Sequence, residues 1–268
     1  MNIEKLHNEL SKDLTKIKEL KPMIHHITNY VAMNDSANIT IAIGASPIMS
    51  FAHGEMEELV SVASTLLINI GTLDEYIIQA MMLALNTAKK NNVPILFDPV
   101  GSGATKLRTT TATTIVNEGV DVVKGNQGEI LSLLGKEGVV KGVDSKAEID
   151  AEVVREVSQK VKSVVVATGK KDFVTNGKKV YVMANGTDML GKITASGCML
   201  GSVIASFMAV QKDYLIAAIE GLACYNIAGE LAAEKSEGSG SFRQNLIDEI
   251  FNITAEKVVD RIKLEEIP

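Results

Sequence analysis

The segment Thr194-Ala195-Ser196-Gly197-Cys198 stands directly before a long apolar stretch, as expected of a loop that opens a helix. Free N–H groups at a helix start bind anions, and the helix dipole strengthens that attraction. The same dipole would lower the pKa of the Cys198 thiol. A thiolate there could take a proton from a substrate hydroxyl. The segment therefore predicts a phosphate site with an adjacent base, and a buried structural cysteine is the alternative.

Two acidic residues follow predicted strands. Asp98 ends an apolar run and precedes a loop that contains Gly101 and Gly103, and Glu129 lies in Lys124-Gly125-Asn126-Gln127-Gly128-Glu129. Carboxylates can hold Mg²⁺, and a glycine loop lets the backbone approach a phosphate. Each also has a structural alternative: Asp98 capping its own turn, and Glu129 completing a capping box with Asn126.

Polar residues that suit a nucleotide follow two neighbouring predicted strands. Lys124 can face a phosphate, and Asn126 shares its loop. Thr168 and Gly169 offer a hydroxyl and bare backbone at the end of the next strand. A tight turn before a hairpin would explain Gly169 equally well.

An N-terminal pair of segments offers contacts for a second ligand. Asn29 follows the strand that contains His25 and His26, and it can bind polar atoms. The two histidines are not a metal motif, because adjacent strand residues point to opposite faces. Met49, in Gly44-Ala45-Ser46-Pro47-Ile48-Met49, suits an apolar pocket wall or the plain core.

The elements that must position these residues alternate along the chain. Apolar strand-like runs alternate with amphipathic helices through residue 167, which predicts a mostly parallel sheet covered by helices on both faces. Asn176-Gly177 then predicts a hairpin, the chain beyond Gly197 reads as helices, and Gly238-Ser239-Gly240-Ser241 reads as a loop between two of them. Ligands of such sheets bind beyond the carboxyl ends of the strands. We expect one α/β domain over residues 1–268.

Composition narrows the function further. The net charge of −6 and the lack of Trp argue against a nucleic-acid partner. No apolar run reaches the ~18 residues of a membrane span, so we expect no membrane partner. Cys198 and Cys224 give neither a disulfide framework nor zinc spacing, which favours a reducing cytoplasm. The sequence has neither a P-loop nor a Gly-x-Gly-x-x-Gly dinucleotide motif.

Taken together, these segments resemble the hydroxyethylthiazole kinase family of thiamine salvage. They occur in the family's order and cover nearly the whole chain: Asn29-Tyr30-Val31, Gly44 to Met49, Asp98-Pro99-Val100-Gly101, Lys124 to Glu129, Thr168-Gly169 and Ala195 to Cys198. The resemblance implies a three-layer ribokinase-like fold without a separate lid domain. It also implies Mg²⁺-dependent transfer of phosphate from ATP to 4-methyl-5-(2-hydroxyethyl)thiazole.

The resemblance also assigns roles to the candidate residues. It implies that Cys198 is catalytic and that the active sites lie between the subunits of a homotrimer. The other implied contacts are with the thiazole at Asn29, Met49, Ala195 and Gly197, with ATP at Lys124, Asn126, Thr168 and Gly169, and with Mg²⁺ at Asp98 and Glu129.

One departure concerns Ala195-Ser196-Gly197-Cys198, because the family usually has Gly-Thr-Gly-Cys there. If the first position requires φ > 0, Ala195 would be strained.

Three functions are alternatives to the thiazole kinase. Cys at position 198 is shared with hydroxymethylpyrimidine phosphate kinase, so a pyrimidine or pyridoxal kinase is the related alternative. A nucleotide-dependent dehydratase that repairs hydrated nicotinamide cofactors is similar around the anion site but carries Asp at that position. A non-catalytic binding protein is disfavoured by Asp98, Glu129 and Cys198.

Overall fold

The computed structural model describes residues 3–135 and 150–267. Its sheet has nine strands in the order β2-β1-β3-β4-β5-β6-β7-β8-β9. The first six strands in that order are parallel to one another. Each of β7, β8 and β9 is antiparallel to the strand that precedes it in the order. The strands are β1 Met23–Ile27, β2 Ser46–Met49, β3 Thr65–Asn69, β4 Ile95–Asp98, β5 Val122–Asn126, β6 Val164–Thr168, β7 Asp172–Thr175, β8 Val180–Met183 and β9 Leu264–Ile267.

Helices connect the strands and form the carboxyl-terminal part of the chain. Those in the described ranges are α1 Ile3–Leu20, α2 Met33–Ile43, α3 Met56–Val62, α4 Glu75–Asn91, α5 Lys106–Glu118, α6 Gln127–Ser132, α7 Ala151–Val161, α8 Ser196–Met208, α9 Tyr214–Glu234, α10 Ser239–Phe251 and α11 Ala255–Val259. Short 3₁₀ turns lie at His53–Glu55 and Asp188–Lys192.

The alternation of side chains along each strand builds two cores. Leu67, Leu96 and Val166 pack with α1, α2 and the carboxyl-terminal helices on one face of the sheet. Their strand neighbours Leu66 and Phe97 pack with α3 to α7 on the other face. Successive residues of a strand point to opposite faces, so uniformly apolar strands need helices on both. The predicted three-layer α/β fold is confirmed.

The predicted hairpin is present, although its loop is longer than the two-residue signal indicated. Thr175 pairs with Val180, which leaves residues 176–179 in the connection, and Gly177 adopts φ +79°. The Asn176 side chain accepts the Lys178 and Lys179 N–H groups and so closes the turn.

Two expectations for the carboxyl-terminal part are corrected. Residues 239–241 begin helix α10, because Gly238 occupies the N-cap and the Ser241 hydroxyl receives the Gly238 N–H. Strand β9 was not foreseen and closes the sheet edge by pairing with β8.

The expectation that no stretch could span a membrane needs a correction for α9. By length and composition alone this helix could span one, but 89% of its apolar window is buried inside the structure. Such burial is typical of the core helix of a globular protein.

Candidate active site

A row of polar side chains crosses the carboxyl ends of four neighbouring strands. The Asn29 Nδ2 donates to Asn69 Oδ1 at 2.9 Å, and the Asn69 Nδ2 donates to Asp98 Oδ2 at 3.0 Å. The Lys124 ammonium donates to the same Asp98 oxygen at 3.0 Å. All four side chains are buried. Since β1, β3, β4 and β5 are adjacent in the sheet, residues far apart in sequence meet at one edge, as the strand-end rule predicts.

Asn69 was not singled out from the sequence, where it read as part of an apolar strand. Its position could have indicated a role in the site, because Asn69 is the polar last residue of β3, just as Asp98 is the polar last residue of β4. Its amide bridges Asn29 and Asp98, and its Oδ1 also accepts the Gly71 N–H at 3.0 Å. Asn69 therefore links the two halves of the row.

Cys198 lies above this row in the first turn of α8. Its sulfur accepts N–H groups from Asn69 at 3.3 Å and from Asn29 at 3.4 Å. Burial raises the pKa of the Cys198 thiol, and the Asp98 carboxylate adds to that shift, while Lys124 and the two amides oppose it. The expectation of a lowered thiol pKa is therefore wrong, because desolvation outweighs the pull of the helix start.

Asp98 and Lys124 form a buried ion pair below the helix start. Burial raises the pKa of Asp98 to about 6, and the Lys124 ammonium limits that rise. Burial alone would lower the pKa of Lys124, but the nearby charges of Asp98 and Glu129 raise it overall. The ammonium also donates to the Gly197 carbonyl at 2.9 Å, which ties β5 to the turn that opens α8. Contact between Lys124 and a nucleotide phosphate stays a prediction.

Glu129 completes the capping box that the sequence offered as its structural alternative. The Asn126 side chain accepts the Glu129 N–H at 2.9 Å, and the Glu129 carboxylate accepts the Asn126 N–H at 2.8 Å. Its other oxygen accepts the Gly101 N–H at 2.8 Å. Glu129 thus fixes the glycine loop after β4 as well as the start of α6.

Ala195 adopts the left-handed conformation, with φ +64° and ψ +2°, as N-cap of α8. This is the strain expected of an Ala that adopts positive φ, because Cβ disfavours that conformation. As at any helix start, the first N–H groups of α8 have no intrahelical acceptor and can bind an anion.

A cavity of about 980 Å³ opens beside this turn. Its walls include three of the predicted nucleotide contacts, Asn126, Thr168 and Gly169. They also include the whole turn, residues 195–197. The remaining predicted residues lie outside the lining of this cavity, in the polar row, in strand β2 or in the first turns of α6 and α8: Asn29, Met49, Asp98, Lys124, Glu129 and Cys198.

Asn29 and Met49 lie on the other side of the turn, near the edge of the sheet. Met49 is half-buried at the end of edge strand β2, where it pairs with His26 of β1. The Asn29 Oδ1 accepts the Ala32 N–H at 2.9 Å, so the amide orientation is fixed. A Cβ at Gly71 would lie 2.6 Å from the Asn29 Nδ2, so the glycine makes room for this side chain.

The carboxylates have the chemistry of a Mg²⁺ site that also uses phosphate oxygens. The Asp98 Oδ1 is buried and has no hydrogen-bond partner among the described residues. Within those residues, no group of three or more His, Cys, Asp or Glu side chains is arranged to hold a metal alone. Mg²⁺ commonly takes one or two protein carboxylates and completes its shell with phosphates and water. The residues present therefore fit the ion.

A mostly parallel sheet with helices on both faces, carboxylates near the strand ends and a helix start that can bind an anion together suit a kinase of ribokinase-like fold. A ribokinase-like superfamily protein from Enterococcus faecalis V583 matches the structure with a TM-score of 0.69 over 89% of both chains. At 14% identity that likeness concerns the fold alone.

The chain belongs to the hydroxyethylthiazole kinase family, whose model matches residues 14–256. The hydroxyethylthiazole kinase of Archaeoglobus fulgidus is 72% identical over 267 residues, covering 100% of both chains. The structure of the hydroxyethylthiazole kinase protein from Pyrococcus horikoshii OT3 superimposes with a TM-score of 0.89 at 36% identity, covering 97% of this chain and 99% of that one.

Proposed function

We propose that this protein transfers a phosphoryl group from ATP to the hydroxyl of 4-methyl-5-(2-hydroxyethyl)thiazole. The position of the turn at residues 195–197 carries the proposal. On one side the turn lines the cavity that also contains Thr168 and Gly169. On the other side its next residue, Cys198, contacts Asn29 and Asn69 of the polar row. A phosphate held at the turn would lie between the nucleotide cavity and an alcohol bound over the row.

Different residues would serve different parts of the phosphoryl transfer. Asn126, Thr168 and Gly169 would bind the nucleotide, and the N–H groups of the turn would hold the transferring phosphoryl group. Asp98 and Glu129 would hold Mg²⁺, which neutralises phosphate charge when bound. Lys124 would keep positive charge beneath the turn through its bond to the Gly197 carbonyl.

In this proposal, Cys198 would accept the proton of the attacking hydroxyl. Its raised thiol pKa means that the free enzyme holds the sulfur protonated at neutral pH. The thiol therefore needs the bound, charged reactants to reorganise its surroundings before it can act as a base. Before that, it can position the alcohol through hydrogen bonds.

The thiazole side of the site supports a pocket shared between subunits. We propose that Asn29, Met49, Ala195 and Gly197 contact the thiazole alcohol and that a second subunit of a homotrimer completes this pocket. Met49 lies on the edge strand, and Tyr30 and Val31 beside Asn29 are each 62% exposed. We further propose a cytoplasmic enzyme of one domain over residues 1–268, with no lid domain and neither nucleic-acid nor membrane partners.

The related functions make distinct predictions at the same residues. A pyrimidine or pyridoxal kinase would use the same nucleotide cavity and turn but a different pocket at Met49. A nicotinamide-hydrate dehydratase would carry Asp at position 198, and a non-catalytic binding protein would not need Asp98, Glu129 and Cys198 together. The family match favours the thiazole kinase, and the Cys at position 198 argues only against the dehydratase.

The experiment is incubation of the purified protein with Mg-ATP and a panel of thiazole, pyrimidine and pyridoxal alcohols, with ADP release measured for each. The thiazole alcohol is expected to give the highest kcat/KM. Phosphorylation of the pyrimidine alcohol but not the thiazole would overturn the proposal. ADP release at one rate with and without any alcohol would show hydrolysis in place of transfer.

A further inference from the structure

We propose that Tyr225 is a positioning residue that holds the strained turn at Ala195 in its anion-binding shape. The inference rests on the proposed phosphate site at residues 195–197 and adds a residue that no sequence motif pointed to. Tyr225 lies on α9 and is 2% exposed. It reaches across the cavity wall to the helix start that must receive the phosphate.

The Tyr225 hydroxyl makes two hydrogen bonds to the same residue. Its Oη donates to the Ser196 carbonyl at 2.7 Å. A phenol has one proton, so the second contact, Oη to Ser196 Oγ at 3.1 Å, has the serine as donor. With its only proton used, the phenol has none to donate to a phosphate. Its contribution to the reaction must therefore pass through Ser196 and the turn.

Ser196 directly follows the residue that needs support. Ala195 carries φ +64°, a conformation that Gly adopts freely and Ala does not. A strained residue persists only where its surroundings over-determine it. Tyr225 fixes the main chain and side chain of the next residue, while Lys124 fixes the Gly197 carbonyl at 2.9 Å. The turn is held at both residues that follow Ala195.

The next residue of α9 braces the opposite wall of the cavity. The Asn226 Nδ2 donates to Asp172 Oδ2 at 2.6 Å and to the Asn185 carbonyl at 3.1 Å. The Asp172 Oδ1 accepts the Gly169 N–H at 2.9 Å, so this bond network reaches the predicted nucleotide loop. Consecutive helix residues diverge by about 100°, which lets Tyr225 and Asn226 serve the two walls from one rigid helix.

The test is a double-mutant cycle of Tyr225→Phe with Ala195→Gly. Phe keeps the buried ring and removes only the hydroxyl. We expect Tyr225→Phe to lower kcat about tenfold in the Ala195 enzyme, because it removes both hydrogen bonds to Ser196, each of modest net strength. In the Ala195→Gly enzyme, where positive φ is unstrained, the loss should be under about threefold, since Gly no longer needs the support. KM for ATP should change less than kcat in both backgrounds.

Two further variants make the outcome specific. Tyr181→Phe is the matched control, because it removes the hydroxyl of another buried tyrosine. Tyr181 lies on β8, and its hydroxyl donates to Glu266 Oε2 of β9 at 2.7 Å. It should leave the kinetic parameters near those of the unmodified enzyme. Gly197→Ala tests the phosphate site itself, since its new methyl would lie within the turn and 3.1 Å from the Lys124 ammonium.

The outcomes distinguish a failure of the proposed phosphate site from a failure of the proposed role of Tyr225. If Gly197→Ala leaves kcat unchanged, the proposed phosphate site is wrong and the positioning role falls with it. If Gly197→Ala lowers kcat but Tyr225→Phe lowers kcat by the same factor in both backgrounds, the proposed phosphate site is supported. The proposed role of Tyr225 as support for Ala195 is then wrong. A loss that appears only as a lower unfolding temperature, with kcat intact, would also overturn it.

Discussion

Cys198 lies where a sulfur can either take a proton from an alcohol or only accept hydrogen bonds. Two amides, Asn29 and Asn69, donate to it, and the Asp98 carboxylate raises the pKa of its thiol. The arrangement holds a neutral thiol firmly in place and makes a thiolate costly in the free enzyme. Substrate phosphates and Mg²⁺ would change that balance by adding charge beside it.

Replacing Cys198 by Ala should lower kcat about 100-fold or more, the usual contribution of a general base, with a much smaller change in KM for the thiazole. The activity ratio between the unmodified enzyme and the variant should grow as the pH rises, because only the unmodified enzyme gains a thiolate. Steady-state kinetics from pH 6 to about pH 9 measure both effects. An unchanged kcat would remove Cys198 from catalysis and leave the work to the turn and the metal.

A second buried acid, Glu220 of α9, lies in the helical layer away from the active site and is fully buried. Burial raises its pKa to about 9, and the nearby carboxylates of Asp13 and Glu9 add to the shift while Lys16 opposes it. Asp13 is itself buried and is satisfied by Lys16 at 2.7 Å and Gln211 at 2.6 Å. The fold therefore holds Glu220 protonated at neutral pH.

This protonation makes stability depend on pH. Between the unfolded carboxyl pKa of about 4.3 and the folded value of about 9, the folded state binds one more proton than the unfolded state. The contribution of Glu220 to the free energy of unfolding is fully present below the unfolded pKa. It is lost as the pH rises towards the folded pKa, by up to about 1.4 kcal/mol per pH unit. Glu220→Gln cannot titrate, so its free energy of unfolding relative to the unmodified protein should rise from pH 5.5 to pH 8.5 in urea titrations. Parallel curves would show that Glu220 is ionised in the folded protein.

Single residues were predicted from the sequence where a chain-local signal existed. Asp98, Glu129, Thr168 and Cys198 stand at strand ends or helix starts, and that place is readable from the pattern of neighbours. Asn69 and Tyr225 were missed because their importance comes from contacts across 29 residues or more, with Asp98 and with Ser196. The pKa of the Cys198 thiol was predicted to shift in the wrong direction, because its burial depends on how the whole carboxyl-end edge of the sheet packs.

At the level of elements, the loops after β3 and β4 are joined by one side chain of α5. The Arg108 guanidinium donates to the carbonyls of Val100 at 2.7 Å, Gly71 at 2.7 Å and Ile70 at 3.2 Å. The first of these loops carries Gly71, which makes room for Asn29, and the second leads to Gly101, which binds Glu129. The arginine thus holds the loop beside Asn29 and the loop bound by Glu129 in one fixed arrangement.

Arg108→Met should therefore destabilise the fold by roughly 2–3 kcal/mol, because three part-buried carbonyls lose a charged donor. It should also raise the Mg²⁺ concentration needed for half-maximal activity, since the Gly101 loop would shift relative to Asp98. Urea unfolding and a Mg²⁺ titration measure these changes. Lys106→Met, which removes an exposed cation from the same helix, is the control and should alter stability by less than about 0.5 kcal/mol.

The elements that strong local patterns specify were predicted, and those that depend on distant partners were not. Alternating apolar strands and amphipathic helices gave the parallel sheet, and Asn176-Gly177 gave the hairpin. Strand β9 has two exposed acidic residues at its centre and forms only because β8 offers an open edge. The glycine-serine stretch that begins α10 resembles a loop in sequence, because its role as a helix start depends on the apolar residues Phe242 and Leu246 that follow.

At the level of the whole molecule, the proposed thiazole side of the site lies beside exposed apolar side chains. Tyr30 and Val31, which follow Asn29, are each 62% exposed, and the Tyr30 ring packs edge to face on the half-buried Phe51 ring with centroids 6.0 Å apart. Adjacent apolar side chains left in water commonly mark protein–protein contacts. In the proposed homotrimer, this surface is where a neighbouring subunit would close the pocket over Asn29 and Met49.

The proposal predicts that assembly and thiazole binding fail together while nucleotide binding survives. Val31→Glu places a charge on the surface without touching the cavity that contains Thr168 and Gly169. Light scattering should show the unmodified protein as a trimer and the variant as smaller species. KM for the thiazole should rise about tenfold or more, because the pocket loses a wall, while ATP affinity changes little.

Phe251→Glu is the matched control, because Phe251 is equally exposed, at 64%, but lies at the end of α10. It should remain trimeric with unchanged KM for the thiazole. Diluting the unmodified enzyme below its assembly constant should reproduce the Val31→Glu phenotype without any substitution, since both remove the same neighbour. A monomeric unmodified protein that binds thiazole normally at every concentration would show that one chain forms the complete pocket, and Tyr30 and Val31 would then need another partner.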